Sequence, residues 1–219
     1  MLRLVQKIAL GLIVVMIGIT GYIIAKSSTF QTQPQVVVAK KYGSIVRLTR
    51  NGKTFCSGTV VAPNLIITAA HCVLEETFVG ARLTTEDIEI RPRNNIDLSI
   101  EASPIFASPR MDSAILHGDF SDFNIRSMVT DPTSLASIRE HTTEFISCGY
   151  PLNGDIFCNY TRSPKPVGFA WSVSGVLLPG MSGGPTMLTD GTVIGINIAV
   201  EGEHALISPT YNLLSSVRK

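Results

Sequence analysis

Three stretches of the chain carry side chains suited to acyl-transfer chemistry. Thr68-Ala69-Ala70-His71-Cys72 ends an apolar, β-rich run on a histidine. Met111-Asp112-Ser113-Ala114-Ile115-Leu116 opens another such run on an aspartate, and Pro179-Gly180-Met181-Ser182-Gly183-Gly184-Pro185 wraps a serine in glycines. A serine hydroxyl is a poor nucleophile until a base accepts its proton. An imidazole serves as that base when a carboxylate on its far nitrogen holds the tautomer and stabilises the imidazolium. The glycines beside Ser182 let the backbone turn tightly, so that amide N–H groups converge on a developing oxyanion. Chain order also discriminates, because unrelated scaffolds place the same three groups in different orders. Here the order is His71, Asp112, Ser182.

The segment around His71 resembles the histidine motif of trypsin-like (chymotrypsin-fold) serine proteases. Gly180-Met181-Ser182-Gly183-Gly184-Pro185 is similar to their serine motif, with Met181 where many members carry aspartate. Gly191 to Val200 (GTVIGINIAV) resembles the strand after the nucleophile in the bacterial, HtrA-like and glutamyl-endopeptidase-like branches. The resemblance runs from about Val36 to the C-terminus. It implies Ser182 as nucleophile, His71 as base, Asp112 as orienting carboxylate, and the amides of Gly180 and Ser182 as oxyanion donors. It also implies a primary pocket with Val176 at its base and Ile198, Ala199 and Val200 along its wall. With no carboxylate at that base, preference for Lys or Arg is not expected, and small or medium apolar side chains fit better. Methionine at 181 cannot pair with a newly cut N-terminus as the aspartate of zymogen-activated relatives does, so no such cleavage switch is expected. The resemblance implies no metal and no organic cofactor.

Competing assignments weaken against these motifs. Asp97, in Ile96-Asp97-Leu98-Ser99-Ile100, also opens a β-like run, but its sequence and its distance from His71 suit the family less well than those of Asp112. His117, His141 and His204 have no motif around them. The serine segment also satisfies Gly-x-Ser-x-Gly, the nucleophile elbow of α/β-hydrolases. That architecture needs a carboxylate and then a histidine after the serine, and the remaining stretch is too short for its βα units. A zinc site at His71 and Cys72, or at Cys148 and Cys158, lacks the ligand spacing zinc sites use.

Cysteine usage instead suits an oxidising compartment. Cys56 and Cys72 bracket two strand-like runs joined at Ala62-Pro63-Asn64, and a Cys56–Cys72 bridge would clamp the loop carrying His71. It would also match the position of a disulfide common in the resembling family. Cys148 and Cys158 flank a turn-rich stretch, which predicts a local Cys148–Cys158 staple.

The elements that must position these groups read as short strands. Runs fall at Val36–Val38, Ser44–Thr49, Gly58–Val61, Leu65–Thr68 and Ile88–Ile90. A second set falls at Glu144–Ser147, Phe157–Tyr160, Val167–Val173, Thr186–Leu188, Val193–Val200 and Ala205–Ile207. Asn51-Gly52 and Asp190-Gly191 predict hairpin turns, and Arg93-Asn94-Asn95 another turn. Helix is expected at Pro132–His141, capped by Asp131, and over one or two turns within Tyr211–Arg218. Many short strands without alternating helices predict an all-β protein of two antiparallel Greek-key-type barrels packed face to face. Their expected extents are residues 36–122 and 141–219, within a protease domain at 36–219.

Ahead of that domain, Ile8 to Ala25 carries no charge and follows Arg3 and Lys7. It is long enough to span a bilayer as a transmembrane helix, and its basic flank favours an N-in orientation. A cleaved signal peptide shares the pattern. The length of the run and the lack of a small-x-small site, with Ile23 near its end, favour an uncleaved anchor in residues 1–26 and a polar linker at 27–35. Either reading places the remainder outside the cytoplasm, membrane-anchored or secreted. Formal net charge is +1, so nothing argues for a nucleic-acid partner. The expected activity is a serine endopeptidase acting on protein or peptide substrates. The rival is a catalytically silent or latent protease-fold module that binds or senses at the membrane.

Overall fold

Asn51 and Gly52 both take positive φ, 52° and 72°, the backbone that a tight hairpin turn matched to strand twist requires. They join β1 (Ile45–Arg50) to β2 (Lys53–Ala62), with Arg50 opposite Lys53. The computed structural model describes residues 42–77, 80–84, 88–92, 97–129, 131–141, 144–152, 154–201, 204–211 and 213. After β3 (Leu65–Thr68), a 3₁₀ turn at Ala70–Cys72 leads into a two-stranded ribbon, β4 (Leu74–Thr77) and β5 (Gly80–Leu83). Then come β6 (Ile88–Arg91), β7 (Ile100–Ser108) and β8 (Ser113–His117). The first barrel closes in the order β1-β2-β3-β8-β7-β6.

The second barrel follows a helix, α1 (Pro132–His141), whose expected cap forms: Thr133 N–H donates to Asp131 Oδ1 at 2.9 Å. Its strands are β9 (Glu144–Gly149), β10 (Phe157–Val167), β11 (Ala170–Ser174), β12 (Pro185–Met187), β13 (Val193–Glu201) and β14 (His204–Pro209). They close as β10-β11-β14-β13-β12-β9, all pairs antiparallel. Numbered from one to six within each barrel, both sets share one cyclic order, 1-2-3-6-5-4. The fold is all-β and chymotrypsin-like.

Each barrel encloses its own apolar core. Val46, Leu48, Val60, Ile66, Ile88, Ile90 and Leu116 fill the first, with Phe120 and Phe123 meeting edge to face at 5.9 Å beside them. Phe145, Trp171, Val173, Ile194, Ala205 and Ile207 fill the second. The crossing stretch is tied to both: Phe120 N–H donates to the Pro63 carbonyl, and Val129 N–H to the Val193 carbonyl. Closed barrels leave no long strand edge to pair with another chain.

Several sequence expectations need correction. The run at Val167–Val173 is not one strand: Gly168, at φ 57°, reverses the chain between β10 and β11. Strand β10 begins as expected but continues to Val167, and β7 and the β4–β5 ribbon were not anticipated from the sequence. Val36–Val38, Arg93-Asn94-Asn95 and the apolar run at Ile8 to Ala25 lie outside the described residues. Among the described residues, no helix is long and apolar enough to cross a membrane. Thr210, Tyr211 and Leu213 are helical, and the rest of the expected C-terminal turns lies outside the described residues.

One pH effect follows from the first barrel. Arg91 Nη2 donates to Glu89 Oε2 at 2.8 Å, and Thr49 Oγ1 lies 3.2 Å from the same oxygen. The Arg91 guanidinium holds the Glu89 carboxyl below its ordinary value of 4.5, with help from Thr49. A carboxylate acidified by folding stabilises the native state above its unfolded pKa. That contribution is lost as pH falls through the folded value, which here lies below 4.5. For a partly exposed surface pair it amounts to about 1 kcal/mol at most. Glu89→Gln is therefore expected to lower Tm slightly at neutral pH, with the gap to wild type closing below about pH 4.5. A gap that widened in acid would contradict the assignment.

Candidate active site

Strand β3 pairs antiparallel with β8, with Thr68 opposite Ala114. His71 lies just beyond the end of β3 and Asp112 just before the start of β8, so this register brings them together. The Asp112 carboxylate grips His71 twice: Oδ1 accepts the His71 backbone N–H at 2.9 Å, and Oδ2 lies 2.8 Å from Nδ1. A carboxylate only accepts, so the proton between them belongs to Nδ1, the tautomer in which Nε2 carries the ring's lone pair. Asp112 takes φ 44°, left-handed backbone uncommon outside glycine. The turn at Pro109–Asp112 thus holds a less favoured backbone while the carboxylate reaches His71. Asp97 is exposed and makes no bond to His71, and His117, His141 and His204 are exposed at strand or helix ends.

Ser182 arrives from the second barrel, in the turn between β11 and β12. Its carbonyl accepts Ser57 N–H at 2.8 Å, and Cys72 Sγ lies 3.9 Å from the same oxygen. The serine therefore sits at the boundary between the barrels, against the turn that carries His71. Gly180 has φ 95° and Gly183 φ 84°, both in the region glycine favours. A Cβ on Gly180 would run into the Tyr150 carbonyl oxygen and the Leu152 nitrogen, at 2.6 and 2.7 Å. Among the described residues, Gly180 N–H and Ser182 N–H have no acceptor, whereas Met181 N–H donates to the Leu178 carbonyl at 3.0 Å. Met181 is fully buried in the second core, and its sulfur accepts Leu178 N–H at 3.2 Å.

The four residues expected to line a primary pocket differ in exposure. Val176 and Val200 are 56% and 52% exposed, and Ala199 is exposed as well. Ile198, at an irregularity in the β13–β14 pairing, is partly buried and packs against the core of the first barrel. The pairing skips Ile198, with Asn197 and Ala199 opposite the adjacent residues Ile207 and Leu206, and an extra residue of this kind interrupts the regular alternation of side chains.

Both expected disulfides form, Cys56–Cys72 and Cys148–Cys158. Cys148 and Cys158 lie directly opposite one another on β9 and β10. Cys56, His71 and Cys72 place possible ligand atoms within 4.8 Å of one another. Because the two sulfurs are bonded to each other, neither offers the thiolate that holds a metal.

The sequence model of the family described as Trypsin matches residues 34–149, just over half of the chain. The chain belongs to the trypsin family. Solved structures agree at the level of fold. The Rv3671c protease of M. tuberculosis, in an inactive form, superposes with a TM-score of 0.63 at 18% identity, covering 85% of this chain and 95% of that one. The HtrA-type protease AlgW, solved with a decapeptide, gives 0.63 at 12% identity over 83% of this chain. The serine endoprotease from Yersinia pestis gives 0.63 at 17% identity over 85%. This trypsin-family chain spans 65% of the length of each of the latter two.

Three residues around the serine turn escaped the motif reading. Asn197, wholly buried, donates from Nδ2 to the Cys148 carbonyl at 2.8 Å and accepts from Thr186 Oγ1 at 2.8 Å. Ser57 and Tyr150 meet behind Gly180. A lone amide in the apolar run Val193–Val200 was the available signal for Asn197. Nothing local marks the other two.

Proposed function

We propose that this chain is a serine endopeptidase that works through an acyl-enzyme, with Ser182 as nucleophile, His71 as general base and Asp112 as orienting carboxylate. The observation that carries the reading is the double hold of Asp112 on His71 beside a serine turn with two unengaged N–H groups. His71 Nε2 takes the Ser182 proton as Oγ attacks the scissile carbonyl. The oxyanion of the tetrahedral intermediate accepts from Gly180 N–H and Ser182 N–H. His71 then protonates the departing amine, and water, deprotonated by the same ring, releases the acyl group.

Specificity for small or medium apolar side chains follows from Val176 and Val200, both apolar and open to solvent. The strand at Ala199 and Val200 offers backbone to an extended peptide, and AlgW, similar in fold, was solved with a decapeptide. The proposed setting is outside the cytoplasm, on protein substrates exported there, with residues 8–25 as a membrane anchor. The two disulfides favour an oxidising compartment. Met181, buried and uncharged, supports an enzyme that needs no newly cut N-terminus.

A fluorophosphonate probe tests the reading on the detergent-extracted full chain. The expected result is one adduct, located at Ser182 by peptide mass spectrometry and lost in His71→Ala. Well-folded protein that stays unlabelled would overturn the proposal in favour of a silent or latent module.

A further inference from the structure

Every carbonyl from Pro179 to Ser182 is engaged. The Pro179 carbonyl accepts Leu152 N–H at 3.0 Å, and that of Met181 accepts Gly184 N–H at 3.0 Å. The Gly180 carbonyl accepts the Ser57 hydroxyl at 2.8 Å, and the Ser182 carbonyl accepts Ser57 N–H at 2.8 Å. A peptide plane whose carbonyl is tied cannot rotate without breaking that bond, so the direction of the next residue's N–H is set as well: the Pro179 and Met181 carbonyls set the Gly180 and Ser182 N–H groups. Ser57, on β2 of the first barrel, thus grips the second-barrel loop at two carbonyls. The planes it ties carry the Met181 and Gly183 N–H groups, whereas the Gly180 and Ser182 N–H groups lie in the planes of the Pro179 and Met181 carbonyls, which flank the Gly180–Met181 plane that Ser57 holds.

The serine hydroxyl has a single proton, and its direction is determined. Tyr150 N–H donates to Ser57 Oγ at 2.8 Å, so the hydroxyl proton is left for the Gly180 carbonyl. Ser57 and Tyr150 are fully buried and Gly180 is buried with them. Water therefore does not compete for these bonds, and removing the hydroxyl would strand a buried donor and a buried acceptor together. No charged side chain takes part.

We infer that Ser57 is a positioning residue for the oxyanion-binding amides: from the opposite barrel it holds the Gly180–Met181 peptide plane, the one between the two planes that carry the Gly180 and Ser182 amides, so that both stay aimed at the reacting carbonyl. The inference rests on the reading of Ser182 as nucleophile. Ser57 touches no reacting atom and acts only through the loop.

The test compares second-order rates of fluorophosphonate inactivation in the full chain, with Tm measured alongside. Loss of a direct oxyanion donor costs about 10²–10³-fold, and loss of its support is expected to cost about 10–100-fold. Ser57→Ala is expected to slow labelling by that factor. Its pH profile should keep the wild-type midpoint, because the His71–Asp112 pair is untouched. Ser57→Thr, which restores the hydroxyl, is expected to recover most of the rate. Thr210→Val, which removes a buried hydroxyl bonded to the Val129 carbonyl at 2.6 Å, is expected to lower Tm without slowing labelling. If Ser57→Ala does not fold, Ser57→Cys, of similar size but a weak donor, is read in its place. A folded variant lacking the hydroxyl that labels at the wild-type rate would overturn the inference, as would Thr210→Val slowing as much as Ser57→Ala. Failure of the wild-type chain to label at all would instead remove the underlying reading.

Discussion

Ser182→Ala is expected to lower kcat for peptide hydrolysis by about 10⁴–10⁶-fold, with little change in substrate binding. The alanine keeps the turn and its two N–H groups but leaves no oxygen to attack. His71→Ala should fall into the same range, because the hydroxyl is then left with its proton. The double variant should be hardly worse than either single one, since groups that act as one unit are far from additive. Asp112→Asn is expected to cost about 10⁴-fold by favouring the wrong tautomer of His71 while preserving its place. Steady-state kinetics on a fluorogenic protein substrate, with Tm recorded for each variant, checks the set. A Ser182→Ala protein as active as wild type would place the chemistry elsewhere. Effects of His71 and Ser182 that multiplied in the double variant would show the two acting independently.

Gly183→Ala is expected to be the most damaging single substitution to stability near the site. Gly183 takes φ 84°, which costs an L-residue about 1–2 kcal/mol. An added Cβ would also overlap Thr68 Oγ1 and the Ser57 carbonyl oxygen. Both belong to the first barrel, one of them to its backbone, so the barrels would have to separate. Gly183 N–H donates to the Asn197 carbonyl at 2.8 Å, so moving the turn would also disturb β13. Together these terms amount to about 3–5 kcal/mol, a large share of a typical folding free energy of about 5–15 kcal/mol. Thermal unfolding should show a fall of about 10 °C or more. Gly52→Ala is the control: φ is 72° there, but nothing lies within 4 Å of the new Cβ. It should cost only the backbone term, about 1 kcal/mol. Equal losses at the two positions would mean that crowding at the barrel boundary is not what Gly183 relieves.

Much of the site was legible because its signals are local. The residues that surround His71 and Ser182 are contiguous in the chain, and the need for glycine at 180 and 183 is a property of single backbone positions. The hairpin at Asn51-Gly52 follows from the φ preferences of two residues. Where local signals misled, a competing one had been overlooked. The run at Val167–Val173 reads as continuous by apolarity, yet Gly168 breaks it. Ile198 sits in the expected strand, and its contact with the core of the first barrel comes at a pairing irregularity between Asn197 and Ala199 that local sequence does not mark.

The amino-acid sequence by itself determined the class of fold, the chemical groups available and their order along the chain, since turn chemistry, β-rich runs and short motifs depend on near neighbours. Only the tertiary structure decided that both barrels share one strand order, which no sequence repeat betrays, because pairing depends on register rather than on residue identity. It also decided that Asp112 meets His71, that Asn197 and Tyr150 back the serine turn, and that Ser57 reaches Gly180 across the barrel boundary. Those contacts join residues far apart in the chain, and several end on backbone carbonyls or amides. A backbone group carries no side-chain identity for a sequence to record, so such partners exist only once both barrels have closed.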